Sequence, residues 1–153
     1  FIGKIIINLS KEEYTITSDP DKFDYDAIFN FLSVQSHWSK GISMDLIKKS
    51  IANSTTFAVF HHQRQVGMAR IITDYATIVY LGDVFIDPEY RGKGLSKWLM
   101  EVITSIPELQ GMRRWFLTTK DAHSLYEKTG FKAPLYPERF MEIFNPDVYK
   151  KDS

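Results

Sequence analysis

The stretch Val84-Phe85-Ile86-Asp87-Pro88-Glu89-Tyr90-Arg91-Gly92-Lys93-Gly94-Leu95-Ser96 constrains this chain more than any other. An apolar strand runs into a Pro-containing turn, and a glycine-rich loop follows. A helix then opens at once, because Leu95, Trp98, Leu99, Val102 and Ile106 recur at spacings of three and four. Glycines let backbone N–H groups turn toward a ligand with no Cβ in the way. The helix N-terminus adds partial positive charge and unpaired donors. A strand, loop and helix in this order make a phosphate or pyrophosphate site, and Arg91 and Lys93 add mobile positive charge. Taken alone, the loop is a weak signal. A Walker A loop needs Gly-Lys-Ser/Thr, but Lys93 is followed by Gly94. A dinucleotide fingerprint needs glycine where Lys97 stands. Both nucleotide patterns fail.

Apolar periodicity lays out the remaining elements. Lys11 to Thr17 has the β-branched and aromatic content of a strand, after a shorter apolar run at Ile5 to Ile7. Ser18-Asp19-Pro20-Asp21 is turn chemistry. Ile28, Phe29 and Leu32 give Tyr25 to Leu32 helical spacing. Ser36 to Gly41 reads as a loop carrying Trp38. Ser43 caps a helix to Ile51, on which Leu46, Ile47 and Ile51 share a face. Thr55 to Phe60, Gln65 to Ile72 and Ala76 to Ile86 are three strands in succession, an antiparallel meander. After the helix Leu95 to Ile106, Arg114 to Thr118 predicts a short strand. Asp121 caps a helix to about Lys128, ended by Gly130, and Arg139 to Phe144 predicts a last strand. No repeat, low-complexity tract or Gly/Ser linker intervenes, so residues 1–153 read as one domain. The expected fold is mixed α/β: a central, mostly antiparallel sheet of six to seven strands flanked by about four helices.

Composition excludes several classes. Lys+Arg and Asp+Glu are both 19, so the net charge of zero argues against a general nucleic-acid binder. The absence of cysteine rules out a disulfide framework, a thiolate zinc site and a cysteine nucleophile. No apolar run approaches the roughly 18–20 residues that span a membrane. Phe1 to Leu9 is too short and too quickly polar for a signal peptide. A cytoplasmic protein with no membrane partner is the default expectation. His61 and His62 are adjacent in a predicted turn with no third ligand at metal spacing, so no metal site is expected.

Arg91-Gly92-Lys93-Gly94-Leu95-Ser96 resembles the acetyl-CoA loop of the GNAT superfamily of N-acetyltransferases, Gln/Arg-x-x-Gly-x-Gly/Ala. Arg91 and Gly94 are in register, and Ser96 departs from the usual Gly or Ala. The lead-in Val84 to Tyr90 is also similar to that family's strand and turn. Ala122-His123-Ser124-Leu125-Tyr126-Glu127-Lys128-Thr129-Gly130-Phe131 resembles a later motif of the family, with a tyrosine four residues before Gly-Phe. The resemblance covers roughly Thr55 to Phe144 and points to a bacterial branch of the superfamily. It implies the GNAT acyl-CoA N-acyltransferase fold, acetyl-CoA as cosubstrate and an amine acceptor. Members often pair through sheet edges or C-terminal strands, so a homodimer is open.

By the resemblance, the cofactor would be held by Val84, Phe85, Ile86, Arg91, Gly92, Lys93, Gly94, Leu95, Ser96 and Thr118. Backbone groups of Phe85 and Ile86 would pair with the pantetheine arm like an added strand. Tyr126 would meet the departing sulfur. A tyrosine near pKa ~10 is a weaker acid than a thiol near ~8.5, so a hydrogen bond to the developing thiolate suits it better than full proton transfer. Asp83, on the strand entering the loop, is the candidate base, with His123 through water and bulk water as alternatives. Trp38 and Tyr80 are expected to line the acceptor pocket. The function implied is acetyl transfer from acetyl-CoA to a primary amine of a small molecule or peptide. A non-catalytic acetyl-CoA-binding regulatory module is the alternative, and Tyr126 weighs against it.

Overall fold

A computed structural model describes residues 4–150, which include all but the first three residues of the stretch read above for a leader. Its frame is one six-stranded sheet whose spatial order follows the chain: β1 (Asn8–Lys11), β2 (Tyr14–Thr17), β3 (Thr55–His61), β4 (Arg64–Thr73), β5 (Ile78–Ile86) and β6 (Arg114–Phe116). Neighbours are antiparallel through β5, and only β5 and β6 run parallel. Helices α1 (Tyr25–Phe29), α2 (Met44–Ala52), α3 (Leu95–Thr104) and α4 (His123–Glu127) flank it. The expected mixed α/β class is the one observed.

Each face of the sheet carries its own core. On one face, Ile71, Val79 and Leu81 pack with Leu95, Leu99, Met100 and Ile103 of α3. On the other, Ala58, Met68 and Phe85 pack with Ile28 of α1 and with Ile47 and Ile51 of α2. Strand β3 is buried from Thr55 through Val59 because both its faces are covered, which explains its unbroken apolar run. Ser43 caps α2 through its Oγ, which accepts from the Leu46 N–H at 3.2 Å.

Several boundaries differ from the sequence expectation, each for a local reason. Lys11 to Thr17 is not one strand: it breaks at Glu12-Glu13, the turn of the β1–β2 hairpin. The helix expected over Tyr25–Leu32 widens after Phe29 into a π-helical stretch, Asn30–Gln35. Strand β5 starts at Ile78 rather than Ala76, because Asp74 gathers the N–H groups of Ala76, Thr77 and Ile78 into a turn. Strand β6 ends at Phe116, two residues early. Helix α4 has Ala122, not Asp121, at its N-cap and no side-chain cap hydrogen bond; the Thr119 Oγ1 holds the loop before it by accepting from the Ala122 N–H at 3.0 Å. Arg139 to Phe144 forms no strand. Residues 137–139 take up a 3-10 turn, and Met141, Ile143 and Phe144 lie exposed, with no ladder partner among the described residues.

Candidate active site

Strand β5 organises the site. Its pairing with β4 shifts between Met68↔Phe85 and Arg70↔Gly82, so β5 carries one extra residue there. This is a β-bulge, and Asp83 occupies it at φ 52, an uncommon conformation for a non-glycine residue. On its other side β5 pairs with β6 only from Ile78 to Tyr80. Beyond Tyr80, among the described residues, that edge of β5 faces no strand. Its backbone groups from Leu81 to Ile86 are therefore placed to receive an extended chain. The side chains of Phe85 and Ile86 anchor this segment from opposite faces. Phe85 stacks on Phe31 with ring centroids 4.9 Å apart, and Ile86 packs in the α3 core.

The open edge leads directly into the glycine loop. Asp87 Oδ1 accepts from the Glu89 N–H and starts a short 3-10 turn, Pro88–Tyr90. Gly92 and Gly94 follow at φ +77 and +79, and Gly94 caps α3. A Cβ at either glycine would meet nothing within 4 Å. The requirement for glycine is therefore conformational, and the space beside the loop is open. That space is a hollow of about 170 Å³ lined by Tyr90, Arg91, Gly92, Gly94, Ser96 and Leu125, among others. The first turn of α3 opens onto it, with Leu95 buried and Ser96 half-buried. A diphosphate fits this donor set, because unpaired N–H groups and the helix dipole face a space without Cβ atoms. Arg91 turns back on the strand: its Nε donates to the Ile86 carbonyl at 2.9 Å and its guanidinium lies 5.3 Å from the Phe85 ring centre. Lys93 is exposed.

Tyr126 sits on α4 beside Leu125, which lines the same hollow. It is buried, with its ring edge-on to Phe131 at 6.0 Å between centroids. Burial pushes the Tyr126 hydroxyl above the ordinary tyrosine range, and the charge of Asp121 pushes it the same way. The group stays protonated throughout the neutral range.

The opposite face of β5 holds a polar cluster. Asp83 Oδ2 accepts from Arg70 Nε at 2.9 Å, and Oδ1 accepts from the Trp38 indole N–H at 2.9 Å. The Asp83 and Arg70 side chains are only 10% and 17% exposed. Asp83 therefore ties the Trp38 loop and β4 to the bulge, with both oxygens engaged. Tyr80 rests on Phe116 at 4.8 Å and its ring lies over Gly82, next to the bulge. Trp38, Asp83 and Tyr80 are thus brought to one region. Thr118 is exposed and lies past the end of β6, away from any strand ladder. His123 is the first residue of α4 and is exposed. Arg70 was not among the candidates read from sequence. Its signal was a lone arginine in an otherwise apolar strand run, which asks for a buried anion.

Comparison with known proteins agrees with this architecture. The sequence profile of the acetyltransferase (GNAT) domain matches residues 52–133. The chain belongs to the GNAT acetyltransferase family. It is similar to a crystal structure from Xanthomonas campestris assigned provisionally to the same family. The two share 43% identity and a TM-score of 0.87, over 90% of this chain and 97% of that one. It is also 29% identical over 143 residues to a protein of Gibberella zeae provisionally described as an acetyltransferase, covering 79% of this chain and 80% of that protein. In fold it resembles a protein from Clostridium acetobutylicum, provisionally described as an acetyltransferase and crystallised with acetyl-CoA, at TM-score 0.58 and 14% identity over 86% of this chain and 94% of that one.

Proposed function

We propose that this GNAT protein transfers an acetyl group from acetyl-CoA to a primary amine of a small molecule or peptide by direct attack. The observation that carries the reading is the free edge of β5 beyond Tyr80, which runs straight into the Gly92–Gly94 loop. A pantetheine arm laid along Val84 to Ile86 would add to the sheet as a strand does. Its diphosphate would then meet the N–H groups at the start of α3. Acetyl-CoA supplies the activated acyl group, and the chain supplies position and charge.

The bulge at Asp83 interrupts the β4–β5 ladder next to the edge where the thioester would lie, and β5 backbone N–H groups there would be the donors to its carbonyl. Such donors stabilise charge developing on the carbonyl oxygen. Tyr126, kept protonated by its burial, donates a hydrogen bond to the leaving sulfur. Asp83 has a different first task from the base its position implied. With Arg70 and Trp38 on its two oxygens, it fixes the wall of the acceptor pocket, and the amine proton leaves through water beside that wall. Trp38 and Tyr80 present aromatic faces to the acceptor.

Acetyl-CoA binding by calorimetry, followed by free-thiol release across a panel of amines, tests the proposal. Binding with release for one class of amine is the expected result. An absence of acetyl-CoA binding by the folded protein would overturn it.

A further inference from the structure

His61 and His62 stand side by side in sequence with no third ligand near them, but the fold brings one from 48 residues away. Tyr14 pairs with His61 across β2 and β3, so the Glu12-Glu13 turn lies against the turn that follows β3. The His62 N–H donates to the Glu13 carbonyl at 3.3 Å and fixes the two turns together. Glu13 Oε2 lies 2.5 Å from His61 Nε2 and 3.8 Å from His62 Nε2. One ligand atom from each residue falls within 4.8 Å of the others. The His61 ring stacks on Tyr14 at 5.0 Å, and its second nitrogen, Nδ1, lies 2.9 Å from the Tyr90 hydroxyl.

We propose that Glu13, His61 and His62 form a binding site for a divalent transition-metal ion of the zinc and copper class. Two imidazoles and one carboxylate suit Zn(II) and Cu(II), whereas Mg(II) and Ca(II) prefer all-oxygen sets. His61 binds through Nε2 and donates its Nδ1–H to Tyr90, an outer partner that sets the tautomer and the ring orientation. The ion takes the place of the hydrogen between Glu13 and His61, so that Nε2 carries no proton when it is bound and the imidazole keeps its proton on Nδ1. Three protein ligands leave the fourth tetrahedral position to water. The ion cross-links the β1–β2 and β3–β4 turns. It borders the residues assigned to acetyl transfer at Tyr90 and Lys93, which line the same hollow as Glu13 and His61.

The test uses the tag-free full chain stripped with EDTA, because an oligohistidine tag binds the same ions. Zn(II) is titrated by calorimetry, and Cu(II) is followed by electron paramagnetic resonance. One equivalent is expected, with two nitrogen donors in the Cu(II) spectrum and a melting temperature that rises with Zn(II). Glu13→Gln and His62→Asn should each weaken binding at least about tenfold. Both side chains are exposed, and asparagine tolerates the left-handed backbone at 62. Circular dichroism without metal confirms that the variants fold. Binding of undiminished affinity in the Glu13→Gln/His62→Asn double variant would show that these side chains do not hold the ion and overturn the site. A Cu(II) spectrum without nitrogen donors would overturn it equally.

Discussion

Substituting three glycines separates the cost of backbone conformation from the cost of losing a ligand contact. Gly92, Gly94 and Gly111 lie at φ +77, +79 and +82, and a Cβ at any of them meets nothing within 4 Å. Alanine at each should therefore destabilise by the same conformational amount, about 1–2 kcal/mol. At roughly 2–4 °C per kcal/mol for a chain of this size, the melting temperature should fall by about 2–8 °C in all three. Only Gly92 and Gly94 border the hollow at the start of α3, whereas Gly111 lies in the turn before β6. Acetyl-CoA affinity should thus drop for Gly92→Ala and Gly94→Ala and stay unchanged for Gly111→Ala. Gly94→Glu makes the contrast larger. A carboxylate about 5 Å from each of two diphosphate charges costs about 0.8 kcal/mol per charge at a dielectric of 80 and about 3.3 at 20. Even the weaker limit, about 1.7 kcal/mol in total, is a loss of about 15-fold in affinity. Thermal melts and acetyl-CoA calorimetry on the four variants decide the matter. Unchanged affinity in folded Gly94→Glu, or equal weakening in Gly111→Ala, would refute the loop as the diphosphate site.

Two further perturbations address the chemistry around the loop. Tyr126→Phe should lower turnover by about 10²–10³ with little change in acetyl-CoA affinity; an unchanged rate would reassign Tyr126 to packing. Because burial raises the Tyr126 pKa in the folded state, its contribution to stability is complete below the ordinary tyrosine pKa and is lost as pH rises through the raised value. Alkaline melts should therefore show a steeper loss of stability above about pH 10 in the parent than in Tyr126→Phe. Arg70→Met leaves the Asp83 carboxylate largely buried without its partner and should cost about 3 kcal/mol. Adding Asp83→Asn should recover about 1–2 kcal/mol of it, read by denaturant melts of both variants. A double variant no more stable than Arg70→Met would show that the pair is not coupled.

The parts of this molecule legible in its sequence are those whose geometry is set within a few residues. The glycine loop and α3 need only their own φ angles and a 3.6-residue apolar stripe, and both appear where the residues place them. Strands β3 and β4 are equally plain, because burial on both faces makes their apolar runs continuous. What escaped depends on register between distant segments. The break at Glu12-Glu13 interrupts the alternation of Lys11 to Thr17, and two charged residues between β-formers were the hairpin signal. The bulge at Asp83 had a weaker sign, Gly82 inside a strand run. Neither the Asp83 pairing with Arg70 and Trp38 nor the Glu13 approach to the histidines leaves any local trace, since each needs the sheet to be assembled first. The missing strand at Arg139 to Phe144 follows the same logic. Its residues favour extended backbone, but a strand exists only where a neighbour offers a ladder. Here β6 contributes three residues and ends at Phe116. That shortness also bears on function: a longer β6 would continue alongside β5 past Tyr80 and cover the edge that the pantetheine arm is proposed to use. A sheet that binds by strand addition has to leave one strand short, and the sequence around Leu117 to Lys120 carries no apolar alternation that would extend it.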